Sequence, residues 1–188
     1  MEKFLQTCAV VDWMHPEVFR RARQLARGAA NQNGVVKNCF EFVRDEIKHS
    51  WDYCMNPVTC TASEVLLAGT GYCYAKSHLL AALLRANEIP SGLCYQRLSM
   101  DEEGKRFCLH GLNAVYLDAF GWYRLDARGN KPGVTAGYAP PIEVLAFAEL
   151  SAGERNLPDI YVEPLPAVVD VLRRSTTYIE VSENLPDH

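Results

Sequence analysis

No apolar run in this 188-residue chain is long enough to span a bilayer, so a transmembrane protein is not expected. The opening residues, Met1 to Gln6, lack a basic stretch followed by an apolar core and a small-residue cleavage site, and no secretory signal is read there. None of the seven cysteines stands in CxxC spacing. Cys54 and Cys60 are the nearest pair, and no histidine follows closely behind them, which argues against a zinc site. An odd cysteine count without an export signal leads to the expectation of reduced thiols in a cytoplasm. No acidic cluster suggests calcium. The chain is therefore expected to use no metal and no cofactor. At a formal net charge of −4 it offers nothing to nucleic acid or to an anionic membrane surface. Repeats, low-complexity runs and interdomain linkers are also missing. Residues 1–188 are read as one domain, with a core of about 35–130, an N-terminal helix over 16–28 and a C-terminal tail.

What is present centres on Gly69 to Gly92, GTGYCYAKSHLLAALLRANEIPSG. Two glycines around a threonine precede Cys73, and a helix apolar over most of its circumference follows, which marks it as buried. Cys73 falls in the first helical turn. Unpaired backbone N–H groups and the positive end of the helix dipole there favour a thiolate, the form that makes cysteine a nucleophile. The bland alternative is an ordinary buried thiol. Asn87-Glu88-Ile89-Pro90 should stop the helix.

Upstream, Asp12 to Pro16 reads as a turn into a helix that carries Val18, Phe19, Ala22, Leu25 and Ala26 at helical spacing. The basic run Arg20, Arg21, Arg23 and Arg27 is read as a solvated face. A second helix is expected over Val35 to Lys48. Thr61-Ala62-Ser63-Glu64 has the capping-box pattern and should open a short helix that Gly69 ends. Downstream the period changes to two. Gly92 to Leu98, Phe107 to Leu117 and Trp122 to Asp126 read as strands joined by short turns, an antiparallel meander. Gly133 to Pro141 reads as loop, Ile142 to Ala148 as extended or a short helix, and Leu165 to Arg174 as a helix.

A nucleophilic Cys73 needs a base. His15 and His49 fall at the ends of expected elements, His188 is the last residue, and His78, five residues along the helix, points away from the cysteine. His110 lies inside the second strand, where a satisfied core histidine is the usual reading. Asp126, at the end of the third strand, could orient the imidazole and stabilise its protonated form. It could equally be a turn former or the partner of Arg124 or Arg128. His110 and Asp126 share a face only if paired positions sum to an even number. If they stand directly opposite, the turn tightens around Leu117-Asp118-Ala119.

The three stretches GTGYCYAKSHLLAALLRANEIPSG, LHGLNAVYL and WYRLDARGN together resemble the transglutaminase-like superfamily, roughly over Phe40 to Asn130. Where many members carry a tryptophan two residues after the histidine, this chain has Leu112. The resemblance implies an α+β, papain-like core: N-terminal helices and a buried nucleophile helix packed on an antiparallel sheet. It implies Cys73 as nucleophile, His110 as base and Asp126 as orienter. It also implies thiol-dependent acyl transfer or hydrolysis on an amide, through a thioester. One oxyanion donor is expected from the Cys73 backbone N–H. Trp51, Tyr53 and Asn56 are candidates for the second, because members often draw it from upstream of the cysteine. Tyr72, Tyr74, Tyr95 and Gln96 are expected to shape the pocket. The expected partner is a peptide, protein or small amide substrate. Two other readings stay open: a catalytically silent binding module on the same fold, and a redox sensor pairing Cys73 with Cys94 or Cys108.

Overall fold

The computed structural model describes residues 1–101, 103–147 and 152–187. In chain order it comprises α1 (Pro16–Ala26), α2 (Gln32–Glu41), β1 (Lys48–His49), α3 (Ala62–Ala68), β2 (Thr70–Gly71), α4 (Cys73–Arg85), β3 (Ser91–Ser99), β4 (Phe107–Leu117), β5 (Gly121–Leu125), β6 (Gly137–Ala139), β7 (Ile142–Val144), β8 (Arg155–Asn156), α5 (Pro166–Arg174) and α6 (Tyr178–Glu183). None of these helices is long and apolar enough to cross a membrane.

Local chemistry sets the helix ends. Pro16 opens α1, and the His15 ring accepts the Glu17 N–H at 3.3 Å. The second helix begins three residues earlier than its apolar stripe suggests, because Asn31 caps it by accepting the Gly34 N–H at 3.0 Å. It also does not run to Lys48: it loosens into a π turn over Phe42–Glu46, and the chain leaves as β1. In α3 the capping box is complete. The Glu64 N–H donates to Thr61 Oγ1 at 3.1 Å, and Glu64 Oε2 accepts the Thr61 N–H at 2.9 Å. Gly69 then ends α3 at φ 68°, a left-handed conformation open to glycine without a Cβ penalty.

All thirteen residues of α4 are buried. The helix packs against α1, α2 and α3 on one side and against β3 and β4 on the other. Each fully buried leucine along it contributes about 1.5–3 kcal/mol. At its far end the Arg85 guanidinium, also buried, donates to the carbonyls of Ser91, Gln6 and Val162, tying three distant segments to the helix.

The main sheet has the order β5-β4-β3-β8, with every pair antiparallel. Side chains alternate cleanly. Leu93, Tyr95, Leu109 and Val115 join the main core, whereas Cys94, Leu112 and Ala114 form a small second cluster on the opposite face. The stretch read as loop contains β6, which pairs with β7. Within Ile142 to Ala148 the chain is extended over β7, and Ala148 lies outside the described residues. The two-residue β8 and the six-residue α6 had no counterpart in the sequence reading, being too short to carry a period.

Candidate active site

β5 is short, and the candidate site depends on that. Its last residue, Leu125, pairs with Asn113, so residues 107–112 of β4 have no strand partner on that edge. The N-terminus of α4 and the C-terminal tail fill the gap. The Gly111 N–H points at Cys73 Sγ, 3.5 Å away, and the Leu109 N–H donates to the Pro186 carbonyl at 2.8 Å. Cys73 is the first residue of α4 and is 7% exposed at the floor of an open cleft of about 1570 Å³.

Continuing the β4–β5 register sets Asp126 opposite Leu112 rather than His110. The two residues are therefore not directly opposed, and the turn is centred on Ala119, one residue later than direct opposition requires. The paired positions still sum to an even number, so Asp126 and His110 stand on one face, diagonal to each other. His110 Nε2 and Asp126 Oδ2 are 2.7 Å apart. The Cys73 sulfur bears on the same ring and favours its protonated form. Sulfur, imidazole and carboxylate thus form one group.

Asp126 is wholly buried and fully partnered. Oδ2 also accepts the Ala146 N–H at 3.2 Å, and Oδ1 accepts the Arg128 N–H at 3.0 Å. Its partner is not an arginine side chain: Arg124 pairs with Glu143, and the Arg128 guanidinium grips Asp52. Burial pushes the Asp126 carboxyl upward, but the His110 charge and hydrogen bond, with the two backbone N–H donors, outweigh it and hold the group below the usual carboxylate range. Burial likewise pulls His110 down. The Asp126 carboxylate and the Cys73 sulfur overcome that and raise it to about 10.

The seven remaining expected residues are scattered around this group. Trp51 lines the cleft and meets the Tyr178 ring edge-on, 5.9 Å between centroids. Tyr53 is exposed, with the Lys48 ammonium over its ring, and lines a different cavity. The Asn56 side chain accepts the Tyr178 N–H at 2.9 Å. Tyr72 and Tyr74 line the cleft, and their hydroxyls donate to the Tyr178 and Leu109 carbonyls. Tyr95 lies on the core face and accepts the Leu165 N–H at its hydroxyl. Gln96 acts from behind, donating to the carbonyl of Phe147 at 3.3 Å and to Asn156 Oδ1 at 2.9 Å.

Three contributors were not anticipated. Phe147 sets its ring edge against His110, 5.0 Å between centroids. Ala146 supplies the amide that holds Asp126. His49, 5% exposed, lines the cleft with its ring against Tyr72, in the strand that pairs with Gly71 just ahead of Cys73. The first two follow a loop that gives no periodic signal, and His49 is passed over because it falls at the end of a helix expected to run to Lys48, where the chain instead forms β1. His78, by contrast, is a packed histidine whose Nδ1 meets the Cys60 carbonyl at 2.7 Å.

A cysteine at a helix start, joined through a histidine to a buried carboxylate on the neighbouring strand of an antiparallel sheet, is a papain-like thiol arrangement. The sequence profile of the Transglutaminase-like superfamily matches residues 20–127, more than half the chain, and the chain belongs to that superfamily. Solved structures agree on the fold. A protein from Cytophaga hutchinsonii provisionally named a cysteine protease superposes with a TM-score of 0.54 at 17% identity, over 66% of this chain and 40% of that one. The periplasmic domain of TgpA from Pseudomonas aeruginosa superposes with a TM-score of 0.50 at 18% identity, over 66% of this chain and 45% of that one. The match therefore covers less than half the length of either structure. No curated protein matches the sequence.

Proposed function

We propose that this chain is a thiol-dependent acyl-transfer enzyme that acts on an amide of a peptide, a protein or a small molecule. The observation that carries the reading is the meeting of Cys73 and His110 in one open cleft, with the His110 ring bound to the buried Asp126 carboxylate and its charge supported by the Cys73 sulfur. A ring held protonated up to about pH 10 supplies the counter-charge a thiolate nucleophile needs. The sulfur attacks the carbonyl carbon, His110 gives its proton to the leaving nitrogen, and the C–N bond breaks to leave a thioester on Cys73. Water or an amine then takes the acyl group, returning its proton to His110 and the sulfur to the enzyme. As the first helical residue, Cys73 has no intrahelical acceptor for its own N–H, which is available to the developing oxyanion. We place the enzyme in a reducing cytoplasm, a reading supported by seven free thiols.

The test is labelling with a panel of acyl electrophiles, comparing wild type with Cys73→Ala. Selective acylation of Cys73 and turnover of the best acyl class are expected. If Cys73 reacts no faster than the exposed Cys54, a silent binding module replaces this reading. One observation favours the redox alternative: Cys108 lines the same cleft as Cys73, whereas Cys94 packs away with Leu112 and Ala114. Mass spectrometry after peroxide treatment decides between them, since a reversible Cys73–Cys108 disulfide in place of acylation supports the sensor.

A further inference from the structure

A second cavity, of about 430 Å³, adjoins the cleft and is walled by the π turn after α2, by β1 and by residues 128–131. Five cationic side chains line it: Arg44, Lys48, Lys76, Arg128 and Lys131. Among the described lining residues two carboxylates face them, Asp45 and Asp52, and the buried Asp126 also acts on Lys76. Both lining carboxylates are already engaged. Arg44 chelates Asp45 with two bonds of 2.7 Å, and Asp52 takes Arg128 at 2.6 and 3.1 Å and Lys131 at 2.7 Å. The surplus is positive and sits chiefly on Lys48 and on Lys131, which shares Asp52 with Arg128, since burial lowers Lys76 to about 7 and leaves it only partly charged. The Lys48 ammonium reaches only the Asp45 backbone carbonyl at 3.3 Å and the face of Tyr53. Lys76 ends on the carbonyls of Ile47 and Arg44. Positive charge gathered in a concave, low-dielectric wall focuses the field and concentrates anions.

His49 gives an independent sign that this wall is built for a ligand. It lines both this cavity and the cleft and is 5% exposed, yet its Nδ1 has no hydrogen-bond partner among the described residues. Asp52 Oδ2 is 3.5 Å away and bound to Arg128. Arg128 and Lys131 also line both spaces, so a group held here is next to the Cys73 cleft.

We propose that this cavity is an anion-binding site that takes a carboxylate or phosphate group, held by Lys48 and Lys131. Its volume suits a small molecule or the acidic end of a longer substrate. Ammonium and guanidinium groups give such an anion charge-assisted bonds.

Inorganic phosphate is the first probe, titrated into the full chain by calorimetry at constant ionic strength with chloride as the control. Saturable binding is expected, weakened at least fivefold by Lys48→Gln and by Lys131→Gln, and unchanged in the surface variant Arg20→Gln. Circular dichroism of each variant separates lost binding from lost folding. Cys73→Ala should bind phosphate like wild type, so the site stands or falls apart from the catalytic reading. A second arm identifies the source of the anion. If an electrophile with an acidic tail labels Cys73 faster than its neutral isostere, and phosphate removes the advantage, the anion is part of the substrate. Phosphate binding without that advantage marks a free anion. Phosphate binding no better than chloride, or undiminished in both folded lysine variants, overturns the proposal.

Discussion

The Gly111 amide stands 3.5 Å from the Cys73 sulfur because β5 ends opposite Asn113 and leaves the edge of β4 open to the helix. The approach requires glycine at 111. A Cβ there would lie 2.9 Å from Tyr74 Cδ1 and 3.1 and 3.2 Å from the Tyr74 backbone Cα and N. The ring can rotate away, but the backbone of the first helical turn cannot. We expect Gly111→Ala to push the start of α4 off the strand, to cost about 1–3 kcal/mol in chemical denaturation and to slow alkylation of Cys73 by iodoacetamide. Wild-type labelling together with wild-type stability would show that this close approach does not position the sulfur.

Asp126 holds His110 through Nε2, and two backbone N–H groups hold Asp126 in turn. Asp126→Asn keeps the shape and removes the charge. The positive charge on His110 then loses its main support, so its pKa should fall well below about 10, as read by NMR titration of the ring. Amide turnover should drop on the order of 10²–10⁴-fold. Unchanged turnover at neutral pH would remove Asp126 from the machinery.

Gln96 stands directly opposite His110 across β3 and β4 but acts through the loop beyond, where its amide holds the Phe147 carbonyl. That loop carries the Ala146 amide on Asp126 and the Phe147 ring on His110. Gln96→Leu should therefore lower kcat several-fold and shift the pH profile of kcat, with KM for a small amide little changed. A change in KM alone would mean that Gln96 acts on substrate binding instead.

The helices around α4 were legible because caps and apolar stripes are local: Thr61 and Glu64, Gly69, and the leucines after Cys73 each declare themselves within a few residues. The parity that puts His110 and Asp126 on one face was legible for the same reason, since alternation survives a two-residue change in register. The register itself was not, because the turn after Leu117 can tighten around 118 or 119 with almost no change in its residues. The Ala146 amide, the Phe147 ring and the Asp52–Arg128 pair come from chain segments up to 76 residues apart and leave no mark on any single window. The π turn that frees His49 is also invisible to helical spacing, because Val43 and Ile47 keep the apolar stripe through it.

Two buried bases that both feel the Asp126 charge should make stability depend on pH in opposite senses. His110 is raised to about 10 from an ordinary 6.5. Its stabilisation is complete below pH 6.5 and is lost as pH rises to about 10, because across that window the folded state holds a proton the unfolded chain has released. Lys76 is the reverse. Burial, with Asp126 and Asp45 offsetting it only in part, lowers its ammonium to about 7 from 10.5. Folding then requires an uncharged lysine or a buried charge, a penalty that is largest below pH 7 and is relieved as pH climbs to 10.5. Each slope is about 1.4 kcal/mol per pH unit for one proton, and they overlap between about 7 and 10. The wild type should therefore show a nearly flat urea-unfolding free energy from pH 7 to about 8.5, above which it falls because the buried Cys39, Cys60, Cys94 and Cys108 thiols keep protons that the unfolded chain releases. Lys76→Met removes the rising component, so its stability should fall steadily from pH 7 to pH 10 whatever its absolute value. In Lys76→Met combined with Asp126→Asn the fall should shrink, because His110 no longer holds its extra proton. If Lys76→Met stays as flat as wild type, the two buried bases do not titrate against each other, and the ring beside Cys73 is not held protonated in the folded protein.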